Sequence, residues 1–573
     1  MKKNFVRLRW FFAMLLFVTT MIMPSMMLAK SITPTRPKTG DGSAKNPYQI
    51  SSREELYWFA GLVNGTLPEG GGEKKLSANA ILTKNITVNE GVLDAVKNHL
   101  ESESDFIPWT PIGPSVRDAY TGTFNGQGHT ISGLYFNDTK ASYVGLFGWI
   151  KENYYNGHKG KISNVGVSDS YFQFYKHGGG VCGINNDGGV LQNCSNSSTV
   201  IGKGGQIGGV CGANYGTIRD CKNTGSVSGE INVGGVIGDN SNHATIKSCY
   251  NTGSVSGEKY VGGVIGSYFN GTITNCYYLE NTATGGMEGQ DVPGKAEKRS
   301  EEEFASGEVA WLLNGKGLGE QVWGQHLGID EYPVLYSDYK VIKAAKGDKD
   351  TNGNYTYWAT FSNLTNDATL SVPSESGRTL NVYNATVSGG KLTLTQRSDD
   401  QVAKGEGVLL KTNGEYVNAI NAKANETNDL TKASSDENNL VATPTKAKTV
   451  TADAGYKLYR LTYNNAAKEG LGFYLSVDKA NNSYNGTRLK ATPGKAYLKV
   501  SENEAKDPSS AALTRSFVFG GGNETTGIDG ITIMGTDVQR HGTIEGIFDL
   551  QGRKISNPTK GIYIKNNKKV IIK

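Results

Sequence analysis

Residues 205–257 read GQIGGVCGANYGTIRDCKNTGSVSGEINVGGVIGDNSNHATIKSCYNTGSVSG, and this stretch decides the fold because it contains one pattern twice. Each copy holds three short apolar segments, Gly-Val-x-Gly, Ile-x-x-Cys and Ser-Val-Ser, separated by Gly, Asn and other small or polar residues. Segments this short cannot bury their apolar faces alone, and none is long enough for a helical repeat hairpin. Stacking the copies solves both problems, because equivalent side chains then form ladders about 4.8 Å apart.

The pattern continues on both sides of this stretch, and the last residue of its Ile-x-x-Cys segment recurs every 27–29 residues. It predicts two inward-facing ladders with one side chain per turn. The first ladder comprises Phe147, Cys182, Cys211, Ile237 and Ile265. The second comprises Val165, Cys194, Cys221, Cys249 and Cys276. With glycines where the backbone must turn, the pattern predicts an all-β fold that begins with a parallel β-solenoid of three strands per turn.

The six cysteines of the chain all fall in these ladders. An even number of cysteines in an exported protein favours disulfides. Parallel neighbours, however, hold their Cβ atoms about 4.8 Å apart, beyond the usual disulfide range of about 3.5–4.5 Å. Free cysteine packs well as a small apolar residue. We therefore expect buried free thiols, with oxidised ladders as the alternative.

The regions outside the repeat predict end caps and a second β-domain. Capping boxes at 52–55 and 300–303 open helical patterns on either side of the repeat. After Tyr339, Thr, Val and Tyr alternate with polar residues in runs bounded by Gly, Asn and Asp, which is typical of a β-sandwich. The predicted domains are a signal peptide (1–29), a linker (30–48), a capped β-solenoid (49–338), a β-sandwich-like domain (339–528) and a small β tail (529–573).

The first 29 residues predict export. A basic start precedes an apolar run of roughly 14 residues, as in a secretory signal peptide, whereas a bilayer span needs about 20. A retained N-terminal anchor is the alternative to cleavage between Ala29 and Lys30. Of 59 Lys and Arg residues four lie in this leader, so 55 remain against 54 Asp and Glu. A mature chain this close to neutral has no basic surplus for nucleic acid. We expect it at the cell surface or in the medium, without a transmembrane segment.

The N-terminal half carries further motifs, among them GLFG at 145–148, FNGQGHTISGL at 124–134 and WTPIG at 109–113. With the repeat, these motifs resemble those of GLUG-motif proteins of bacterial surfaces, over roughly residues 40–338. Later copies replace the Leu by Val and the aromatic residue by Cys or Ile, which keeps an apolar inward side chain. The resemblance implies surface display and, loosely, adhesion, and it implies no common reaction.

The end of the chain carries a second signature, FDLQGRKI at 548–555 followed by KGIYIKNNKKVIIK at 560–573. It resembles the C-terminal sorting domain of proteins exported through the outer membrane by the type IX secretion system. The resemblance implies that the secretion machinery recognises this tail. The alternation of apolar and polar residues around a two-residue Asn-Asn turn predicts a β-hairpin. The sorting-tail residues are Gly552, Lys560, Gly561, Tyr563, Lys568 and Lys569.

Motifs for catalysis, cofactors or metals are incomplete. A phosphate-loop-like GQDVPGK at 289–295 continues with Ala296 where Ser or Thr would bind magnesium. A calcium-loop-like start at 348–353 places Ala359 where the bidentate Glu belongs. Acidic residues of the repeat do not align in one ladder; they are Asp187, Asp220, Glu230, Asp239, Glu258 and Glu280. A catalytic groove in the N-terminal part stays open as an alternative, with Asp105, Arg117, Asp118 and Asp138.

The sequence thus predicts an exported, non-enzymatic repeat protein without cofactor or metal. Its expected task is adhesion to a glycan or to a host or matrix protein through the solenoid, where tyrosine-rich stretches at 154–155, 171–175 and 277–278 could stack on sugars. One alternative is a polysaccharide lyase or glycosidase built on the solenoid. The other is a purely structural stalk.

Overall fold

The structure is a computed structural model that describes most of the chain after the leader. The described residues are 31–98, 106–155, 157–241, 243–317, 321–349, 352–373, 377–422, 430–464, 470–478, 483–506, 508, 513–514, 516–519, 531–534, 547–548, 561–565 and 568–572. The predicted signal peptide and its cleavage site at Ala29 and Lys30 lie outside them. Among these residues no helix is both long and apolar enough to cross a membrane. The chain divides between Arg299 and Ser300 into two compact units.

The first unit is a parallel β-solenoid, which confirms the predicted fold class. Sheet A contains Tyr48–Ile50, Ala80–Leu82, Thr123–Asn125, Lys161–Ser163, Val190–Gln192, Thr217–Arg219, Thr245–Lys247 and Thr272–Thr274. Sheet B contains Ile86–Thr87, Thr130–Ser132, Tyr135–Asn137, Gly166–Phe174, Ser195–Gly202, Lys222–Asn223, Val227–Ser228, Tyr250–Asn251, Val255–Ser256, Cys276–Leu279 and Ala296–Arg299.

Two further sheets complete each turn before the chain returns to sheet A. Sheet C contains Ser142–Val144, Lys176–Gly179, Gly205–Gly208, Ile231–Gly234 and Lys259–Gly262. Sheet D contains Phe147–Ile150, Cys182–Asn185, Cys211–Asn214, Ile237–Asn240 and Ile265–Tyr268. A short antiparallel pair, Glu152–Asn153 with His158–Lys159, extends from one turn.

The prediction of three strands per turn is wrong, because the residues before each Gly-Val-x-Gly segment form a further strand, and a bend at the Gly-Val of that segment separates it from the next strand. In one turn the bend separates Gly205–Gly208 from Cys211–Asn214. A Cβ atom on Gly208 would lie 2.1 Å from the carbonyl oxygen of Cys211, so only glycine allows the backbone to fold this tightly. The glycines that sequence reasoning treated as simple turns thus add a fourth wall to the solenoid.

A helix covers the N-terminal end of the solenoid core, as predicted. It spans Arg53–Asn64, with Ser52 accepting a hydrogen bond from the Glu55 amide and Gly65 ending it at φ 71°. Its buried residues include Leu56 and Phe59, which belong to the same apolar cluster as the ladder residues. A short 3₁₀ helix at Pro68–Gly70 and a helix at Val92–Lys97 are the other helices described in this unit.

The second unit begins with two short helices, Glu301–Ala305 and Glu308–Leu313, and a small pair, Trp323–Gly324 with Val334–Leu335. The capping box predicted at Ser300 is present in full. The sequence assigned this segment to the solenoid domain, up to residue 338, whereas the compact unit that holds it begins at Ser300. The domain limits given above otherwise stay predictions.

Three sheets are layered in the second unit, where the sequence predicted a sandwich. Sheet E contains Tyr339–Lys343, Ala368–Ser371, Gln401–Val402 and Tyr416–Asn421. Sheet F contains Ala345–Lys349, Tyr355–Ser362, Leu380–Ser388, Lys391–Gln396, Gly407–Thr412 and Ile531–Met534. Sheet G contains Leu440–Ala442, Tyr456–Asn464, Gly470–Leu475, Ala496–Ser501 and Ser516–Val518. Small antiparallel pairs are Lys448–Thr451 with Arg488–Ala491 and Val477–Asp478 with Ser483–Tyr484.

Sheet F is the middle layer, because both of its faces are buried. Leu410 packs in a cluster with residues of sheet E, whereas the neighbouring Leu409 packs in a cluster with residues of sheet G. Side chains that alternate along one strand thus pack in two different apolar cores. A sequence pattern of alternation alone does not distinguish a face covered by a second sheet from one covered by solvent.

The tail contributes two pieces of β-structure to the described chain. Ile531–Met534 pairs in parallel with Lys391–Gln396 of sheet F. Gly561–Lys565 pairs with Lys568–Ile572 as an antiparallel hairpin with Lys565 opposite Lys568, and Ile547–Phe548 joins as a third strand. The predicted hairpin is therefore confirmed. Gly552 and Lys560 lie outside the described residues, while Gly561, Tyr563, Lys568 and Lys569 lie in its two strands.

A candidate ligand-binding face on the solenoid

The two predicted ladders lie in the solenoid interior. Strand pairing places Phe147, Cys182, Cys211, Ile237 and Ile265 opposite one another on successive turns, each fully buried. The second ladder, Val165, Cys194, Cys221, Cys249 and Cys276, is buried to the same degree. All six cysteines are free thiols. Burial raises the pKa of the Cys221 and Cys249 thiols well above its ordinary value, so they remain protonated and unreactive core residues.

Asparagine ladders also run through the interior, and sequence reasoning missed them. In one, the Asn185 side-chain amide donates to Asn214 Oδ1 at 2.7 Å, and Asn214 donates to Asn240 Oδ1 at 2.8 Å. A second links Asn196, Asn223 and Asn251, and a third links Asn125, Asn164 and Asn193. Each ladder repeats asparagine at one position of the repeat, and this recurrence is visible in the sequence. Asparagine between short apolar segments is also typical of turns, so the sequence alone does not indicate a ladder.

Two columns of non-glycine residues with left-handed backbone run along the solenoid. The first left-handed column lies between sheets A and B, has φ of 54–57°, and comprises Asn164, Asn193, Asp220, Ser248 and Asn275. The second left-handed column lies within the strands of sheet C, has φ of 55–67°, and comprises Tyr143, His177, Gln206, Asn232 and Tyr260. Each column has one residue per turn.

The two columns differ in the side chains that accept this conformation. Left-handed backbone costs most residues roughly 1–2 kcal/mol, and only glycine and, less often, asparagine or aspartate visit it routinely. The first column keeps mainly to such small polar residues. The second column places Tyr143, His177 and Gln206 there, on three successive turns. A strained backbone that carries large side chains suggests that the side chains themselves are needed.

These large side chains form one continuous set of contacts. The Tyr143 ring lies 5.0 Å from the Trp149 ring and 5.2 Å from the His177 ring, measured between centroids. Gln206, on the next turn, lies between His177 and Asp239, close enough for its side chain to influence the pKa of both groups. The five residues, which we call the candidate face, therefore span four consecutive turns. All of them except Asp239 are partly exposed.

Both titratable groups of the candidate face are shifted toward the neutral form. Burial, helped by the charge of Lys176, lowers the pKa of His177 to about 4, so the ring is neutral at pH 7. Burial also raises the pKa of Asp239, and the charge of Glu288 adds to this, while hydrogen bonds with Ser241, Ser267 and Gln206 oppose it. The face thus combines aromatic rings with a neutral imidazole and a carboxyl group whose pKa is raised.

Two ring nitrogens of this face have no hydrogen-bond partner within the described chain. They are Trp149 Nε1 and His177 Nδ1, and both atoms are buried. An unpaired buried polar atom costs about 1–3 kcal/mol and calls for an explanation. Both nitrogens therefore have unused hydrogen-bonding capacity next to aromatic rings of the candidate face.

Other acidic residues that the sequence singled out lie elsewhere. Asp220 pairs with Arg219 at 3.1 Å, and Asp187 accepts a hydrogen bond from the Tyr154 hydroxyl at 3.1 Å. Two of the six acids of the repeat, Glu230 and Glu258, occupy equivalent positions on adjacent turns, where the Glu258 amide donates to the Glu230 carbonyl.

The proposed N-terminal groove does not assemble among the described residues. Asp118 forms an ion pair with Lys74 at 2.6 Å, and Asp138 accepts from the amide of Lys140 at 2.9 Å. Asp105 lies outside the described residues. No group of three or more His, Cys, Asp and Glu residues with metal-binding geometry occurs in the described chain.

The tyrosine-rich stretches divide into exposed and buried members. Tyr154 and Tyr155 lie on the short hairpin of the solenoid and are 73% and 102% exposed. Tyr171 packs on Tyr135 in a small apolar cluster that includes Val92 of the helix at Val92–Lys97, and Tyr277 is also buried. None of these is part of the candidate face, which contains a tyrosine, Tyr143, that the sequence analysis did not single out.

Comparison with known proteins bears on this region. Residues 203–228 match the family described as the GLUG motif. A GLUG motif therefore lies in the repeat. The matched residues include Gln206 and one strand each of sheets A, C and D.

Similarity to whole proteins is limited in extent. The chain is 28% identical to halomucin of Haloquadratum walsbyi over 202 residues, which is 35% of this chain and 2% of halomucin. It is 36% identical over 63 residues to a protein of Evansella cellulosilytica provisionally named a Gly-rich membrane protein, covering 11% of this chain and 6% of that one. The chain thus spans a few per cent of the length of these curated relatives.

A solved structure from Bacteroides ovatus, provisionally assigned as an immunoglobulin A1 protease, is also similar. It has 17% sequence identity and a TM-score of 0.39, and the match covers 52% of this chain and 95% of that one.

Proposed function

We propose that this chain is an exported repeat protein that binds an extracellular glycan through the candidate face. The observation that carries the proposal is the unbroken set of contacts from Tyr143 through His177 and Gln206 to Asp239, with three large side chains held on left-handed backbone. Aromatic rings supply apolar faces on which sugar rings stack, and neutral hydrogen-bonding groups fix hydroxyls. Protein adhesion partners are the alternative ligands.

Export and surface display belong to the same proposal. The leader at 1–29 and the type IX-like tail support it, together with the GLUG motif and the names of the two relatives, halomucin and a Gly-rich membrane protein. Deleting residues 546–573 should trap the protein in the periplasm, as detected by cell fractionation. Normal release of the truncated chain would contradict a sorting role for the tail, and the export proposal would then rest on the leader alone.

A binding role is preferred to catalysis because glycosidases use two carboxyl groups across the scissile bond. The candidate face contains one carboxyl group, that of Asp239, which is engaged by three hydrogen-bonding side chains. Reducing ends released from a polysaccharide by the purified chain, and lost in Asp239→Asn, would instead identify a glycosidase.

The binding test uses a glycan array probed with the purified full chain and with variants of the candidate face. Tyr143→Asn and Trp149→Ala should each weaken binding to the best ligand by roughly tenfold, the equivalent of about 1.4 kcal/mol, because each removes a stacking ring. Tyr155→Ala, on the exposed hairpin of the same unit, is the matched control and should leave affinity unchanged.

Two outcomes would contradict the proposal. Equal binding by all these variants would place the ligand site elsewhere. Binding to no glycan would leave the stalk or the protein-adhesion alternative, and a matrix-protein array probed with the same variants then separates these two.

A further inference from the structure

The chemistry along the candidate face changes from one end to the other. Tyr143, Trp149 and His177 place three rings on the first two turns. Gln206 and Asp239 follow on the next two turns and offer amide and carboxylate groups. With strands about 4.8 Å apart, the distance over four turns is about 14 Å. A single sugar ring cannot touch both ends of a face this long.

The charges around the face are of mixed sign, with Lys176 beside His177 at the aromatic end and Asp239 and Glu288 at the polar end. His177 is neutral at pH 7, so it offers no cation to a carboxylate or sulfate group. Asp239 and nearby Glu288 place negative charge at the polar end, which repels acidic sugars. The Asp239 carboxylate already accepts hydrogen bonds from neutral side chains, including Ser241 Oγ at 3.2 Å, so its charge does not require a cationic ligand.

We infer that the ligand is an uncharged glycan chain that lies along the solenoid axis, with its rings stacked on the aromatic end and its hydroxyl groups bound at the polar end. This inference rests on the proposed glycan-binding function. It also assigns a role to Asp239, which excludes acidic glycans. Specificity of this kind commonly depends on a repulsive element against the wrong partner.

The test is calorimetric titration of the full chain at pH 7 with neutral oligosaccharides of two to six rings, with oligogalacturonates as the acidic series and glucosamine oligomers as the cationic series. Affinity for the neutral series should rise with length until the chain spans the four turns, and should then level off. Acidic oligomers of equal length should bind at least roughly tenfold more weakly.

Variants separate the contributions of the two ends. Asp239→Asn should raise affinity for the acidic series severalfold and change affinity for the neutral series less than twofold. Tyr143→Asn should weaken the neutral series at every length, because the aromatic end is lost. A melting curve for each variant checks that the fold is retained.

Several results would overturn the inference. Affinity that does not depend on length would exclude a ligand spanning the turns. Tighter binding of the acidic or cationic series that Tyr143→Asn abolishes would refute the uncharged ligand while leaving the proposed function intact. Binding of no series would refute both.

Discussion

The first and second left-handed columns share one backbone conformation but carry different side chains. Both run along one solenoid, and both hold one residue per turn at φ between 54° and 67°. In the first column, Asn164 and Asn193 also join a hydrogen-bonded ladder, so conformation and packing favour the same residue type. In the second, Tyr143 and His177 gain no such local advantage, and their rings remain partly exposed.

Under the proposed function, residues of the first column serve the fold and the large residues of the second column serve ligand binding. Where the residue type suits the left-handed backbone, as in the first column, a substitution should lower the free energy of unfolding. Where residue type and backbone conflict, the same kind of substitution should leave stability nearly unchanged and reduce binding. Exchanging residue types between the columns therefore tests whether the candidate face is functional.

The largest loss of stability is expected when a residue of the first column is replaced by a residue type found in the second column. Asn193→Tyr should lower the free energy of unfolding by about 3 kcal/mol, because it adds left-handed strain and removes the 2.9 Å hydrogen bond to Asn164. Chemical denaturation measures the loss. Asn193→Gly, which keeps the backbone conformation, should lose only about 1 kcal/mol. A harmless Asn193→Tyr would show that the columns are equivalent.

A substitution in the buried cysteine ladder gives a reference value for the loss of stability. Cys221 is fully buried, so Cys221→Ser should cost about 1–3 kcal/mol by burying a hydroxyl, whereas Cys221→Val should cost less. The same denaturation experiment measures both. Equal and negligible changes would mean that this ladder is not an interior one.

The reverse exchange, in the second column, should affect stability least. Tyr143→Asn removes ring packing but relieves left-handed strain, so the free energy of unfolding should change by less than about 1 kcal/mol. The thermal transition of the purified variant should accordingly stay within a few degrees. A loss as large as that of Asn193→Tyr would assign Tyr143 to the fold and weaken the binding proposal.

The last prediction concerns the pH dependence of stability. Folding lowers the pKa of His177 from about 6.5 to about 4, so between these values the unfolded chain binds the proton more readily. The contribution of His177 to stability is thus present above pH 6.5 and is lost as pH falls toward 4. The raised pKa of Asp239 acts in the opposite direction just above its ordinary value. Melting curves of His177→Asn should vary less between pH 4 and 6.5 than those of the parent chain.

Periodicity was enough to predict the ladders, because a buried position must recur once per turn. Cys182 and Cys211 could thus be placed opposite one another before any coordinates. The bend that creates sheets C and D was not predictable in this way. It depends on how closely the backbone at Gly208 approaches the carbonyl group of Cys211. The sequence shows a glycine at this position but does not show the contact that requires it.

The candidate face was harder to predict for a physical reason. Its members recur once per turn in position but not in residue type, so Tyr143, His177 and Gln206 show no common pattern. A left-handed conformation is also invisible in sequence unless glycine or asparagine marks it. Asp239 was noted as an acid of the repeat, but its closeness to Gln206 depends on strand register.

Each turn of the solenoid is complete in itself, and this has a genetic consequence. A turn such as residues 205–230 brings its own strands, its own two cysteines and its own members of the asparagine ladders. In-frame duplication of one such segment would extend the stack by about 4.8 Å and lengthen the face by one residue of the second column. Strains that differ in the number of turns would then carry faces of different length, each matched to the length of the polymer that it binds.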